Sequence, residues 1–458
     1  MKENQQGSGV NTVGVSERVS LGVKFGYGIG DFAFNMAFQV TALYLIYFYT
    51  DVFMISAAVA GTIFLVSKVW DAVFDPVMGY VCDHTKSRWG KKRPYLLFGS
   101  ILLGISLVLL FAGPNLSESD RVLYGFFTFI FFCSAITVAN VPYGALTADL
   151  SLDTRERSSI SGYRMTFALL GTLTAAGVTK LLVQSFGSEL TGFRAMGVIY
   201  AVIIVVILLI TFATVKERGF SSGEIKQSFK KDIALVVKNG PFLILTGATL
   251  LVMVAVNTLA AVVNYYFKYN LQAEGMIPIA FLILFVTAAI FLPLFVFISN
   301  KRSKKFAFSL GMAIFAIALV LLYFFGEKGL QYTIPILFLA GVGMATVFLC
   351  PWAMIPDTVE YSEWKTGFRR EGIIYGFFWV SFKIGAAIAG FIAGQGLSLA
   401  DYIPNVAQSE GTLSMIRLLI TVVPVVFILA GMALISRYPI DADMHRKMLD
   451  EIGGNKSQ

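Results

Sequence analysis

About twelve apolar stretches, each long enough to cross a lipid bilayer, recur along the 458-residue chain between short polar loops. A spanning helix needs roughly 20 apolar residues, so this repeat predicts an all-α polytopic membrane protein. A charged residue inside such a stretch costs roughly 2.5–3.5 kcal/mol on insertion scales, so each is a candidate for a functional role. The predicted spans are 25–50, 56–82, 94–112, 122–150, 158–184, 193–215, 241–269, 276–300, 304–325, 332–360, 371–398 and 411–436.

Lysine and arginine concentrate in alternate loops. Loop 83–93 carries five of them and linker 216–240 carries six, whereas loops 51–55 and 399–410 carry none. The positive-inside rule therefore predicts that both termini are cytoplasmic. The expected location is a bacterial-type cytoplasmic (inner) membrane. The same topology explains the net charge of +8, so no nucleic-acid partner is expected.

The even number of spans and the basic linker near the middle predict two six-helix halves. The expected organisation is a cytoplasmic N-terminal tail (1–20), an N-terminal half (21–215), a cytoplasmic middle linker (216–240), a C-terminal half (241–437) and a cytoplasmic C-terminal tail (438–458), mobile from about 448. The polar first twenty residues have no signal-peptide core. Three scattered cysteines and two histidines predict no metal site and no cofactor.

Span two carries Lys68, Asp71 and Asp75 at spacings of three and four residues, which place them on one helical stripe. Two carboxylates one turn apart in a low dielectric cannot both ionise cheaply, so one should hold a proton or share a cation. This is the chemistry that a cation-coupled carrier needs, although a buried Lys–Asp pair is the structural alternative. Lys383, in the middle of span eleven, needs a partner, and the span-two acids are the obvious candidates.

Other polar residues within spans are candidates for a cavity wall. Asp31 could face the cavity or be the structural partner of a cation, and Arg164 could either snorkel or bind a ligand through its fork of donors. The remaining candidates are amides, a hydroxyl group and aromatic rings able to stack on a sugar: Asn35, Thr137, Asn140, Tyr143, Trp352 and Trp379.

Several runs together resemble the glycoside–pentoside–hexuronide cation symporters, the branch of the major facilitator superfamily that includes the melibiose and glucuronide carriers. The resemblance covers about 20–440, and its C-terminal stretch is most similar to the glucuronide carrier. The runs are Tyr27-Gly28-Ile29-Gly30-Asp31, Asp71-Ala72-Val73-Phe74-Asp75-Pro76, Ser87-Arg88-Trp89-Gly90-Lys91, Asn140-Val141-Pro142-Tyr143 and Asp357-Thr358-Val359-Glu360-Tyr361-Ser362-Glu363-Trp364.

The resemblance implies the major facilitator fold and symport of a sugar or glycoside with H⁺, Na⁺ or Li⁺ by alternating access, with a monomer sufficient. The implied cation-coupling residues are Asp71, Asp75, Thr137 and Lys383. Arg164 and Lys383 correspond to the sugar-binding or coupling cations of the family. Together with the candidates read from the spans themselves, the predicted substrate-binding residues are Asp31, Asn35, Asn140, Tyr143, Arg164, Trp379 and Lys383. The resemblance also implies an ionic latch between loop 83–93 and segment 357–371. With Lys68 of span two added, the predicted gating residues are Lys68, Asp83, Arg88, Asp357, Glu360, Glu363 and Arg369.

Two departures from the melibiose carriers suggest specificity. Asn35 and Asn140 stand where those carriers have sugar-binding acids, which would leave a positive pocket suited to a hexuronide or sulfonated sugar. Phe74 replaces an asparagine between the cation-site acids, which removes an oxygen ligand and favours H⁺ over Na⁺.

Three alternatives remain open. The first is Na⁺-coupled symport of a neutral oligosaccharide or pentoside. The second is a lysolipid carrier, which the polar candidates argue against. The third is a membrane enzyme, which is not expected because no nucleophile elbow, phosphate loop or metal cluster is present in the sequence.

Overall fold

A computed structural model describes residues 19–151, 154–217, 236–367 and 371–456. Among these residues, twelve helical segments are long and apolar enough to cross a membrane, which confirms the predicted all-α membrane architecture. The helices of the N-terminal half are α1 (Leu21–Tyr47), α2 (Ala57–His84), α3 (Arg93–Leu110), α4 (Glu118–Leu150), α5 (Thr154–Gln184) and α6 (Glu189–Thr214).

The C-terminal half repeats this up-and-down order. Its helices are α7 (Gly240–Tyr265), α8 (Ile277–Lys301), α9 (Lys304–Phe325), α10 (Leu330–Thr366), α11 (Glu371–Leu399), α12 (Glu410–Ile420) and α13 (Val422–Ile435), and α14 (Ala442–Lys456) follows. The twelfth span is formed by α12 and α13 together. We call the end of the bundle that carries loops 83–93 and 299–305 the basic face, and the other end the opposite face.

Polar residues at the membrane edges begin many of the helices. Each caps an otherwise unpaired backbone N–H of the first turn. The side chains that accept such a bond include Ser20, Ser117, Ser188, Asn239, Ser303 and Ser409. These capping residues therefore explain where several of the membrane helices begin.

The two halves contact each other through α1 with α7, α2 with α11, and α5 with α8. The α2–α11 contact is close because glycines face one another: a Cβ on Gly61 would lie 2.9 Å from the Gly390 oxygen and 2.9 Å from the Gly394 Cα. Small residues at such a crossing allow the helix backbones to approach. The approach occurs near the opposite face, where α2 begins and α11 ends.

Two segments differ from the sequence prediction. The predicted loop 361–370 is helical as far as Thr366, and Gly367 ends the helix in the left-handed conformation at φ 74°, which is a common glycine C-cap. The C-terminal tail predicted to be mobile contains α14, where Met448 is fully buried. The tail is polar overall, so the sequence did not predict this packing. Apolar residues on one face of α14 nevertheless pack against the bundle.

Candidate functional site

Lys383 of α11 lies between the two acids of α2 and joins the two halves. Its Nζ is 2.9 Å from Asp71 Oδ1 and 2.6 Å from Asp75 Oδ2. Thr137 of α4 donates one hydroxyl that lies 2.8 Å from Asp71 Oδ1 and 2.9 Å from Asp75 Oδ1. We call these four residues the inter-half cluster. Pro76, inside α2, immediately follows Asp75.

The two carboxylates of the inter-half cluster have different environments. The Asp71 side chain is completely buried, and its Oδ2 has no hydrogen-bond partner. Asp75, one turn nearer the basic face, is 24% exposed. A buried carboxylate oxygen without a donor is costly, whereas an exposed one can exchange a proton with water. Asp75 is therefore the member of the pair that solvent reaches.

Lys68 was predicted to be a gating residue, but the structure places it inside the bundle. Its Nζ is 3.9 Å from Asp71 Oδ2, which is too far for a hydrogen bond. It also faces the rings of Phe38, Phe64 and Phe129 at 5.5–6.0 Å from their centroids, a favourable position for a desolvated cation. The spacing of three residues on α2 directs Lys68 to Asp71 rather than to a loop.

A second charged group lies wholly within the N-terminal half. Arg164 Nε is 2.6 Å from Asp31 Oδ2, and its terminal nitrogens reach Asp31 Oδ1 at 3.3 Å and Thr147 Oγ1 at 3.0 Å. Tyr143 donates to Asp31 Oδ2 at 2.7 Å, and Tyr27 donates to the Tyr143 carbonyl at 2.6 Å. We call these residues the Arg164 cluster.

The Arg164 cluster changes two expectations about the substrate pocket. Tyr143 was predicted to bind substrate, but its side chain is fully buried and its hydroxyl is engaged with Asp31. A net positive pocket was also expected, yet the two clusters together with the neighbouring Lys68 contain three cations and three carboxylates. The cations are Lys68, Arg164 and Lys383, and the carboxylates are Asp31, Asp71 and Asp75.

The remaining candidate substrate residues are uncharged. The Asn35 amide donates to the carbonyl of Asp31 one turn earlier at 2.8 Å. Asn140 is half-buried, three residues after Thr137 on α4. Trp379 is 51% exposed, one turn before Lys383, and its ring centroid is 5.0 Å from that of Trp352. Two amides and an exposed indole offer hydrogen bonds and a stacking surface.

The opposite face is closed by residues that sequence reasoning did not select. Asp51 accepts hydrogen bonds from Lys268 at 3.0 Å, Tyr269 at 2.6 Å and Tyr402 at 2.7 Å, all from the C-terminal half. Burial, followed by the proximity of Tyr265 and Asp51, raises the pKa of Tyr402 above its ordinary value. The Tyr402 hydroxyl therefore keeps its proton and remains a donor to Asp51.

A second ion pair closes the same face nearby. Lys180 Nζ is 2.9 Å from Glu189 Oε1 and 2.8 Å from Glu274 Oε1, so Glu274 of the C-terminal half is tied to α5. Tyr47 donates to Glu189 at 3.0 Å and accepts from Lys268 at 2.9 Å. The signal available in the sequence was the presence of Lys180 and Lys268 within predicted spans.

The predicted latch residues at the basic face contact groups of their own half. Asp357 is 2.6 Å from Lys304 Nζ, and Glu360 is 2.6 Å from His445 Nε2. Arg88 covers the ring of Trp89 at 4.3 Å from its centroid. Glu363 is buried, while the side chain of Asp83 and the whole of Arg369 lie outside the described residues. Among the residues that the structure describes, Asp357 and Glu360 are thus paired within their own half rather than with loop 83–93.

Comparison with known proteins defines the family. The chain belongs to the MFS/sugar transport protein family, whose model matches residues 26–442. It is therefore a transporter rather than an enzyme, and the resemblance to the glycoside–pentoside–hexuronide symporters is confirmed.

Named relatives cover nearly the whole chain. The isoprimeverose transporter of Lactiplantibacillus pentosus is 33% identical over 95% of this chain and 92% of its own length. The putative glycoside/cation symporter YagG of Escherichia coli K12 is 32% identical over 91% of each chain. The solved structure of a bacterial homologue of the human lysosomal transporter Spinster superimposes with a TM-score of 0.68 over 94% of this chain and 97% of its own, at 14% identity. That likeness confirms the major facilitator fold.

Proposed function

We propose that this protein is a proton-coupled symporter of an uncharged glycoside that works by alternating access. The observation that carries the proposal is the position of Lys383, on one half, between Asp71 and Asp75 on the other. The inter-half cluster is built from groups that must change partners when the halves rock against each other. Membership of a sugar transporter family supports the same function.

The charges of the inter-half cluster explain how a proton can be coupled to movement. Separating Lys383 from both carboxylates would leave an uncompensated buried charge on each half. Protonation of Asp75 removes one of the two negative charges that hold Lys383 and leaves Asp71 paired with it. Binding of one proton therefore loosens the inter-half contact without leaving an unpaired carboxylate.

The surroundings of the acids favour a proton over Na⁺. A sodium ion needs several oxygen ligands, but the ammonium of Lys383 occupies the position between the carboxylates. Phe74, between the acids in sequence, stacks on Trp70 at 5.6 Å between centroids and supplies no oxygen. A proton needs only one carboxylate, and Asp75 is the one that is exposed.

The balance of charges favours an uncharged substrate over the hexuronide suggested by the sequence. Arg164 is bound by Asp31 and Lys383 by the span-two acids, so an anionic sugar would have to displace a carboxylate. Asn35, Asn140 and the exposed ring of Trp379 suit hydroxyl groups and the apolar face of a sugar. A relative named for isoprimeverose, an uncharged disaccharide, is consistent with this preference.

The orientation follows from the positive-inside rule. With the basic face toward the cytoplasm of a bacterial-type inner membrane, the contacts around Asp51 and Lys180 close the periplasmic side. We infer that the conformation is inward-facing, with Asp75 and Trp379 reached from the cytoplasm.

Purified protein in proteoliposomes tests this proposal. An inside-alkaline pH gradient in Na⁺-free buffer should drive uptake of labelled isoprimeverose, while a labelled glucuronide should be excluded. Uptake that requires an inward Na⁺ gradient at fixed pH would overturn proton coupling. Uptake of the glucuronide in preference to isoprimeverose would instead support the anionic substrate. Chemical conversion of the sugar would contradict transport altogether.

A further inference from the structure

The C-terminal helix α14 docks on the basic-face end of α10. His445 Nε2 lies 2.6 Å from Glu360 Oε2 and 3.6 Å from Asp357 Oδ1. One turn and a half further on, Glu451 accepts a 2.6 Å hydrogen bond from the indole of Trp364. Met448, between these two contacts, is fully buried. Polar contacts on either side of an apolar anchor fix α14 along α10.

The segment that leads into α14 is also held in place. Lys305 donates to the carbonyl oxygens of Ser436 and Tyr438 at 2.5 and 3.2 Å. Tyr438 is buried at 3% exposure, and Asp441 caps the start of α14 by accepting from the Met444 N–H at 2.8 Å. These contacts therefore fix the position of α14 relative to the last membrane helix.

The docking site coincides with the acids that the family resemblance assigns to the gating latch. Lys304 Nζ donates to both oxygens of Asp357, at 2.6 and 2.9 Å. His445 is hydrogen-bonded to Glu360. Because Lys304 already occupies Asp357, these groups form an ion-pair network rather than a site with three ligands available to a metal. A carboxylate bound within its own half is not available to cations of the other half.

We propose that α14 is a cis clamp: by binding Glu360 and Asp357 through His445, it withholds these acids from the basic loop 83–93 and favours the state that is open at the basic face. Closing that face then requires His445 to release its acids, which become partners for cations of the N-terminal half. This inference rests on the proposed alternating-access function. It adds a regulatory role for the C-terminal helix, whose docking sets the balance between the two access states.

Spin labels across the basic face test the clamp. Cysteines replace the exposed residues Lys86 and Lys301 in a background without the three native cysteines, and the label-to-label distance distribution is measured in the full chain. In His445→Ala, the short-distance population should rise roughly fivefold relative to the long-distance one, the effect of losing a partly exposed hydrogen bond worth about 1 kcal/mol. Arg446→Ala, on the exposed side of the same helix, should leave the distribution unchanged.

A covalent clamp provides the converse measurement. Cysteines at Trp364 and Glu451 are bridged with a short reducible bis-thiol reagent, and the same variant without the bridge is the control. Bridging should slow sugar uptake, and reduction should restore it. Unchanged populations in His445→Ala together with full uptake by the bridged protein would overturn the clamp.

The distance measurement needs no transported substrate. A failure of the clamp can therefore be distinguished from a failure of the proposed transport function. Absence of sugar transport combined with a shift in His445→Ala would reject the proposed function and keep the clamp on α10. Normal transport without any response of the distances would reject the clamp alone.

Discussion

The Arg164 cluster and the inter-half cluster use the same chemistry, a cation among carboxylates inside the membrane, for different purposes. Every member of the first belongs to the N-terminal half, and both Asp31 oxygens accept hydrogen bonds. The second joins two halves, leaves Asp71 Oδ2 without a donor and exposes Asp75. The first cluster, fully hydrogen-bonded within one half, is suited to supporting the fold, whereas we propose that the second couples a proton to the motion of the halves.

Asp31→Asn should have the largest effect on stability. The substitution leaves the guanidinium of Arg164 buried without its carboxylate, which costs roughly 3–5 kcal/mol. We expect a marked loss of folded protein and a lower melting temperature in detergent. A melting temperature equal to that of the wild type would mean that Arg164 is not held by Asp31 and would undo the distinction between the two clusters.

Asp75→Asn should abolish coupling while leaving the fold intact. Lys383 keeps Asp71 at 2.9 Å, so the buried cation stays paired and the melting temperature should be close to that of the wild type. Uphill accumulation of sugar driven by a pH gradient should be lost, and counterflow exchange of labelled sugar should persist. Accumulation at the wild-type level would exclude Asp75 as the proton-carrying acid.

Arg164→Lys should have an intermediate effect and sharpens the assignment of the Arg164 cluster. A lysine keeps the charge but loses the fork that reaches both Asp31 and Thr147, which should cost about 1–2 kcal/mol of stability. Affinity for the uncharged sugar should change little. A large loss of binding at unchanged stability would show that the guanidinium contacts the substrate directly.

Tyr402→Phe should produce the smallest effect, a shift between access states. It removes one hydrogen bond to Asp51, worth about 1 kcal/mol, and so should raise the population open at the opposite face roughly fivefold. Spin labels at Glu118 and Lys328 report this opening. Tyr332→Phe, an exposed tyrosine on α10, is the matched control, and an equal shift in both variants would exclude a specific role for the Asp51 contacts.

The fold was largely predictable because bilayer thickness imposes a length on each apolar run. The prediction of 56–82 for the second span corresponds to Ala57–His84 in the structure. Helix ends set by irregular geometry were harder to predict. Phe48–Val52 and Tyr266–Asn270 continue the first helix of each half as π-helical turns, and they contact each other at the opposite face through Asp51, Lys268 and Tyr269.

The contacts of the candidate site were predictable where the sequence concentrates charge on one helix. The spacing of Asp71 and Asp75 gives their common stripe directly, and an isolated lysine in mid-span requires an acid. The partner of Arg164 could not be chosen from sequence, since Asp31 lies 133 positions away and several acids were available. Asp51 escaped notice because its partners, Lys268 and Tyr402, lie 217 and 351 positions away along the chain.

Proton movement caused by sugar addition tests the central claim most directly. Isoprimeverose is added to lightly buffered, de-energised, Na⁺-free proteoliposomes that contain the wild-type protein or Asp75→Asn, and the external pH is recorded. We predict alkalinisation with the wild type and none with the variant, at equal counterflow activity. Alkalinisation of the same size with both proteins would contradict the assignment of the coupled proton to the inter-half cluster.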